Sequence, residues 1–232
     1  MQATEAPAAK SCAACDCRAI EFLESSIGKK IMVALAGLFL SFFLVVHLAG
    51  NLFLFGGAPA FNHYASLLEH NELLPVAEIG LVVLFLIHIL LAIRATWINR
   101  AARPVGYAVY RGKGARTAGS KTMIWTGLLL LAFLIVHLKS FRFAPEAVRE
   151  ADLYALVVHA FRNPWYSGFY VLALVGLGVH LSHGIQSGFQ TLGLNHPRYT
   201  PWIKRLGLAL AVLLALGFMS MPIYFGFLGG AK

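Results

Sequence analysis

Five long apolar runs constrain this chain more than any other feature. They cover about 31–55, 74–98, 121–139, 165–190 and 206–228. Each is long enough, or nearly so, to cross about 30 Å of hydrocarbon as a helix rising 1.5 Å per residue. A backbone in lipid has to satisfy its own N–H and C=O groups, so such runs read as helices. The third is the shortest, but Lys121 and Lys139 flank it and can snorkel to opposite interfaces. The chain is 59% hydrophobic and 12% charged, which leaves too little polar surface to cover a water-soluble globule. The expected fold is an all-α membrane protein, a bundle of five transmembrane helices. Residues 1–28 form an N-terminal segment and 29–230 the transmembrane domain, with lipid as the main solvent.

Charge supplies the topology. Nineteen Lys and Arg stand against ten Asp and Glu, a formal net charge of +9. In a soluble protein that excess would suggest nucleic acid; here the basic residues gather at the ends of the apolar runs, so no nucleic-acid partner is expected. Arg18, Lys29 and Lys30 precede the first run. Arg100, Arg103, Arg111, Lys113 and Arg116 join the second to the third, and Arg198, Lys204 and Arg205 join the fourth to the fifth. Segment 56–73 has no Lys or Arg, and the third-to-fourth connection mixes Arg142, Arg149 and Arg162 with Glu146, Glu150 and Asp152. The N-terminus is therefore expected in the cytoplasm and the C-terminus outside. Cys12, Cys15 and Cys17 are three thiols without a fourth ligand on the reducing side, which argues against a metal site. The apolar stretch after Lys30 is too long and begins too late for a cleaved signal peptide.

The chemistry-bearing residues are histidines inside the apolar runs, because an ionisable ring in hydrocarbon is costly and generally faces a partner, a cofactor or water. They are His47, His88, His137, His180 and His183, spread over four of the five runs. A single such histidine is more often a hydrogen-bonding group between helices; their depths make the stronger case. His47 lies seventeen residues past Lys30 and His137 sixteen past Lys121, each about 25 Å from the cytoplasmic end. His88 precedes Arg100 by twelve residues and His180 precedes Thr191 by eleven, each about 17 Å from that end. Two pairs, each from two helices at one depth, are what two haem groups with two imidazole ligands apiece require. Zinc fits less well, since it takes four ligands and few other donors accompany the histidines. Gly176, Gly178, Ser182 and Gly184 beside the fourth-run histidines could admit a flat macrocycle, or simply close helix packing.

The segments SIGKKIMVALAGLFLSFFLVVHL, FNHYASLL, AEIGLVVLFLIHI, SKTMIWTGLLLLAFLIVHL and HLSHGIQSGFQTLG resemble the single-subunit, five-helix, di-haem cytochrome b that anchors succinate:quinone oxidoreductases and quinol:fumarate reductases. The resemblance runs over nearly all of the chain after residue 20. It implies two haems b, with His47 and His137 holding the outer one and His88 and His180 the inner one. It implies an iron-sulfur subunit and a flavoprotein subunit on the cytoplasmic face, a membrane quinone (menaquinone or ubiquinone) as substrate, a place in the respiratory chain and tricarboxylic acid cycle, and the inner membrane of a prokaryote. Dicarboxylate catalysis would then belong to the partners, and a higher oligomer of the complex is compatible with it. The family's ligand lies thirteen residues before the glycine that ends the fourth helix, and counting back from Gly193 selects His180 over its rival His183, which would contact haem edge or quinone instead.

Haem propionates need donors near the membrane edges, so Lys121, Ser120 and Arg162 are candidates beside their plainer role as interface anchors. Arg162 resembles the family's arginine near the outer haem. Val33 and Ala34 stand where family members place Ser or Gln. Quinone chemistry moves protons with electrons and needs an acid or base near the site. Glu69, Glu72 and Glu78 all follow the first run; Glu69 nearly matches a family glutamate, and Glu78 is the deeper in an apolar run. Helix capping and solvation are their plainer readings. The rival functions are a proton-coupled transporter with a His/Glu relay, and the cytochrome b anchor of a hydrogenase or formate dehydrogenase.

Overall fold

A computed structural model describes residues 21–102 and 118–230. Cys12, Cys15, Cys17, Arg18, Arg103, Arg111, Lys113 and Arg116 lie outside the described residues. The elements are α1 (Ser26–Asn51), a 3-10 turn (Leu52–Gly56), α2 (Gly57–Glu69), α3 (Leu74–Ala101), α4 (Ala118–His137), a π-turn (Leu138–Arg142), α5 (Glu146–Ala151), α6 (Leu153–Arg162), α7 (Pro164–Thr191) and α8 (Thr200–Gly226). Among the described residues five helices are long and apolar enough to cross a membrane: Ser26–Glu69, Leu74–Ala101, Gly119–Arg142, Pro164–Thr191 and Thr200–Gly226. The protein is an all-α, multi-pass membrane protein.

Local chemistry sets the helix ends. Ser25 caps α1 by accepting from the Gly28 N–H at 3.0 Å, and Asn163 caps α7 by accepting from the Trp165 and Tyr166 N–H groups. Prolines open α3, α7 and α8, where a missing N–H costs nothing. Gly193, at φ 85°, follows the end of α7 in the left-handed conformation that glycine tolerates.

The first span begins earlier than expected, at Ser26, and the fifth at Thr200, where a polar cap and an N-terminal proline, respectively, start the helix ahead of the apolar run; two further differences have physical causes. The third span is longer than 121–139, running from Gly119 to Arg142, because the π-turn continues the helical path past His137. The connection 56–73 contains the helix α2, whose mixed polarity hid it; it buries Phe61 and turns Asn62 toward Asp152.

The bundle order follows from which helices touch. α1 packs on α3 and α7, α4 packs on α7, and α3 and α4 meet only sparsely, so α3–α1–α7–α4 runs around a four-helix core. α8 packs on the outside of α7 and reaches α1. The densest apolar packing lies on α7, α8 and α6, including Leu174, Leu214, Phe218 and Phe161. Outward faces carry large apolar side chains such as Phe42, 67% exposed, and Val76, 66% exposed, as a surface solvated by lipid tails should. Trp97, Trp165 and Trp202 are exposed near helix ends, where amphipathic rings sit at membrane–water interfaces.

Candidate haem and quinone sites

The four-helix core brings the histidines together in two pairs, each crossing a diagonal. His47 of α1 meets His137 of α4 with ring centres 5.9 Å apart and planes at 89°. His88 of α3 meets His180 of α7 with ring centres 6.3 Å apart and planes at 70°. Two imidazoles bound to one iron, with bonds near 2 Å, place their ring centres about 6 Å apart. Among the described residues no three His, Cys, Asp or Glu converge as a metal cluster. Each pair is thus a two-nitrogen donor set, which suits an iron whose remaining positions a macrocycle fills, and the residues fit haem.

Each ring is held from its other side. His88 Nδ1 lies 3.2 Å from the Val33 carbonyl oxygen, His180 Nδ1 3.1 Å from Thr126 Oγ1, and His137 Nδ1 3.2 Å from the Tyr170 hydroxyl. These contacts engage Nδ1 of each ring, and the Val33 carbonyl, which can only accept, favours the tautomer of His88 that carries its proton on Nδ1. His47 differs: the Asn51 amide sits 3.4 Å from both of its ring nitrogens and donates to its backbone carbonyl at 2.8 Å. Val33 meets His88 through its backbone carbonyl, so this contact does not depend on its side chain.

The fourth-span histidine opposite His88 is His180. His183 lies against the start of α4, with its Cβ 2.9 Å from where a Cβ on Gly119 would stand. Of the small residues noted beside them, Gly176 and Gly178 serve packing: a Cβ there would meet Leu129 at 2.9 Å and Ala215 at 3.0 Å. Gly184 has nothing within 4 Å of a built Cβ. Gly37 admits a histidine of the second pair: a Cβ there would stand 3.0 Å from His88 Cε1. Lys121 is exposed in the first turn of α4, and Arg162 is exposed at the end of α6, just before the cap of α7.

Glu69 and Glu78 meet in one cleft of about 690 Å³, with Glu72, Glu146 and Glu150 also on its wall. Arg142 donates to both oxygens of Glu78, at 2.6 and 2.9 Å, and Arg149 donates to Glu69 at 2.8 Å. These partners were not singled out from the sequence; their sign, opposite to the glutamates across the cleft, was the available signal. Arg142 closes the π-turn that begins after His137, so the cleft and the outer histidine pair share one short segment. Beside the cleft, the Asn62 amide and the Ala155 N–H donate to Asp152, and they hold its carboxyl below the usual carboxylate range.

The chain is similar to the succinate dehydrogenase cytochrome b558 subunit of Bacillus subtilis (strain 168), being 25% identical over 194 residues that cover 80% of this chain and 88% of that protein. No family model matches the chain, and no solved structure matches it. The similarity agrees with the family that the histidine-bearing segments resemble.

Proposed function

We propose that this chain is the membrane-anchor cytochrome b of a succinate:quinone oxidoreductase or quinol:fumarate reductase, transferring electrons between an iron-sulfur subunit and membrane quinone through two bis-histidine haems b. The observation that carries the reading is the pair of diagonal imidazole contacts, at 5.9 and 6.3 Å. The similarity to a succinate dehydrogenase cytochrome subunit supports the same assignment. When bound, haem supplies a one-electron carrier that a helix bundle lacks.

The protein's own part is to hold and orient. Nε2 of His47 and His137 would bind one iron, and Nε2 of His88 and His180 the other. Val33, Thr126 and Tyr170 fix the rings from behind. Lys121 and Arg162 would meet haem carboxylates near the membrane edges, and His183 a haem edge or quinone. Glu69 or Glu78 would exchange the protons that accompany quinone turnover, each held ready by an arginine. With the basic ends of the spans in the cytoplasm, the inner pair faces the iron-sulfur and flavoprotein partners and the cleft opens outside. A prokaryotic inner membrane is the setting. His/Glu proton relays of the transporter type do not require paired rings at iron-spanning distance, and the alternative respiratory anchors lack support from the similarity.

The test is a pyridine haemochrome assay on the purified protein, with two haems b per chain expected. Replacing His47 or His137 by Ala should remove one redox component, and replacing His88 or His180 the other. Absence of haem from the wild-type protein, or losses grouped in any other way, overturns the proposal.

A further inference from the structure

Tyr170 projects its hydroxyl into the bundle beside His137, and its surroundings fix where that hydroxyl points. The residue is 4% exposed. Its ring is gripped by Phe133 at 4.8 Å and 73°, Phe161 at 5.2 Å and 82°, and Tyr166 at 4.6 Å. The hydroxyl oxygen lies 2.8 Å from the Tyr166 hydroxyl and 3.2 Å from His137 Nδ1. Burial alone demands one partner for a tyrosine hydroxyl, and Tyr166 supplies it. The contact to His137 is an additional one.

We infer that Tyr170 is a positioning residue for His137, accepting its Nδ1–H so that the ring plane and the electron density of this ligand are set by a tyrosine pair reaching toward the outer end of α7. The inference rests on the proposal that His137 is a haem ligand. With Nε2 committed to iron, Nδ1 keeps its proton and donates it to the Tyr170 oxygen, which also accepts from the Tyr166 hydroxyl at 2.8 Å. His137 is the last residue of regular α-helix before the π-turn, so its ring leans on neighbours across the interface for orientation. Phe133 and Phe141 pack on its faces and edges but offer no acceptor.

Two measurable consequences follow. An acceptor on Nδ1 makes the imidazole a stronger donor to iron and favours the oxidised state, one of the ways a protein tunes haem potential. Holding the His137 ring at 89° to His47 keeps the axial planes crossed, which gives oxidised low-spin iron a strongly anisotropic electron paramagnetic resonance signal. The inner pair has a separate device: Thr126 donates its hydroxyl proton to the Thr122 carbonyl at 3.0 Å and keeps a lone pair for His180.

The experiment is redox titration and electron paramagnetic resonance on the purified complex carrying Tyr170→Phe, Tyr166→Phe or Thr126→Val. Tyr170→Phe keeps the ring and its aromatic cage and deletes only the oxygen. It should retain two haems, shift the outer midpoint to a more positive value, lower the anisotropy of the outer signal, and leave the inner haem unchanged. Tyr166→Phe removes a donor to the Tyr170 oxygen, should shift the outer midpoint by less and toward a more negative value, and decides the matter if Tyr170→Phe sheds the outer haem. Thr126→Val should move only the inner component. Two haems with unchanged outer midpoint and signal in both tyrosine variants overturn this inference while leaving the proposed function standing; a wild-type protein without haem overturns both.

Discussion

Gly37 is where the smallest change should produce the most selective defect. A Cβ there would stand 3.0 Å from His88 Cε1 and 3.3 Å from its Nδ1, against about 3.5–4.0 Å for comfortable contact between carbon atoms. The ring would have to retreat by about half an ångström. Its hydrogen bond to the Val33 carbonyl, now 3.2 Å, would then stretch to roughly 3.7 Å and be lost. That costs about 1 kcal/mol, or about fivefold in the population of correctly held ring. Meanwhile Gly to Ala inside a helix favours the helix by about 1 kcal/mol, so the fold should not suffer. Gly37→Ala is therefore expected to keep two haems with a shifted inner midpoint. Gly37→Val adds two methyls against the ring, an overpacking cost of about 1–3 kcal/mol, and should reduce haem content toward one per chain, with the outer component intact. Pyridine haemochrome quantification and redox titration read both effects. Two haems and an unchanged inner midpoint in Gly37→Val, or selective loss of the outer component, would refute the reasoning.

Glu69→Gln and Glu78→Gln should each keep both haems and dicarboxylate activity with soluble dyes, and at least one should lose quinone-linked turnover; full turnover in both removes the cleft from the mechanism. Asp152→Ala removes the cap of α6 and the partner of Asn62, and should lower stability by about 1 kcal/mol in a thermal unfolding assay at neutral pH. Because the folded state holds the Asp152 carboxyl below its usual range, its contribution is present above the ordinary carboxylate value and fades as pH falls through the lowered one. The gap between wild type and Asp152→Ala should accordingly narrow on acidification, and a gap that widened would contradict the assignment.

The spans and the histidine pairs were legible in the sequence because both follow from one-dimensional rules. Apolar length gives the spans, and residue count from a basic helix end gives depth along a helix. His47 with His137 and His88 with His180 could be matched that way before any contact was seen. Direction around the helix was less legible. Nothing in the count distinguishes the Val33 carbonyl, the Thr126 hydroxyl or the Tyr170 hydroxyl from other polar groups at similar depth, because each contact depends on which helices are neighbours. The same limit hid α2. Its residues are neither apolar enough for a span nor periodic enough over a short length, and Phe61 and Asn62 gain their meaning only by docking beside α6. The glycines show the point in reverse: Gly176 and Gly178 read equally as room for a macrocycle or as close packing, and Leu129 and Ala215 stand against them, while Gly37, on a different helix, makes way for His88.

The order of packing explains why the pairs cross diagonals. Neighbouring helices α1–α3, α1–α7 and α4–α7 touch directly, so imidazoles projecting between neighbours would compete with side chains already in contact. α1 and α4 stand opposite one another, as do α3 and α7, and across these diagonals the rings meet at 5.9 and 6.3 Å. Because successive spans reverse direction, His47 late in α1 and His137 late in α4 lie toward one end of the bundle, whereas His88 in α3 and His180 in α7 lie nearer the other. Diagonal pairing sets His47 against His137 and His88 against His180. Moving a histidine one turn along α7, about 5.4 Å, should therefore abolish the inner site rather than relocate it, because His88 would face no partner. A double variant, His180→Leu with Gly184→His, should contain one haem by pyridine haemochrome, and recovery of a second would show that the diagonal tolerates a vertical offset that this packing forbids.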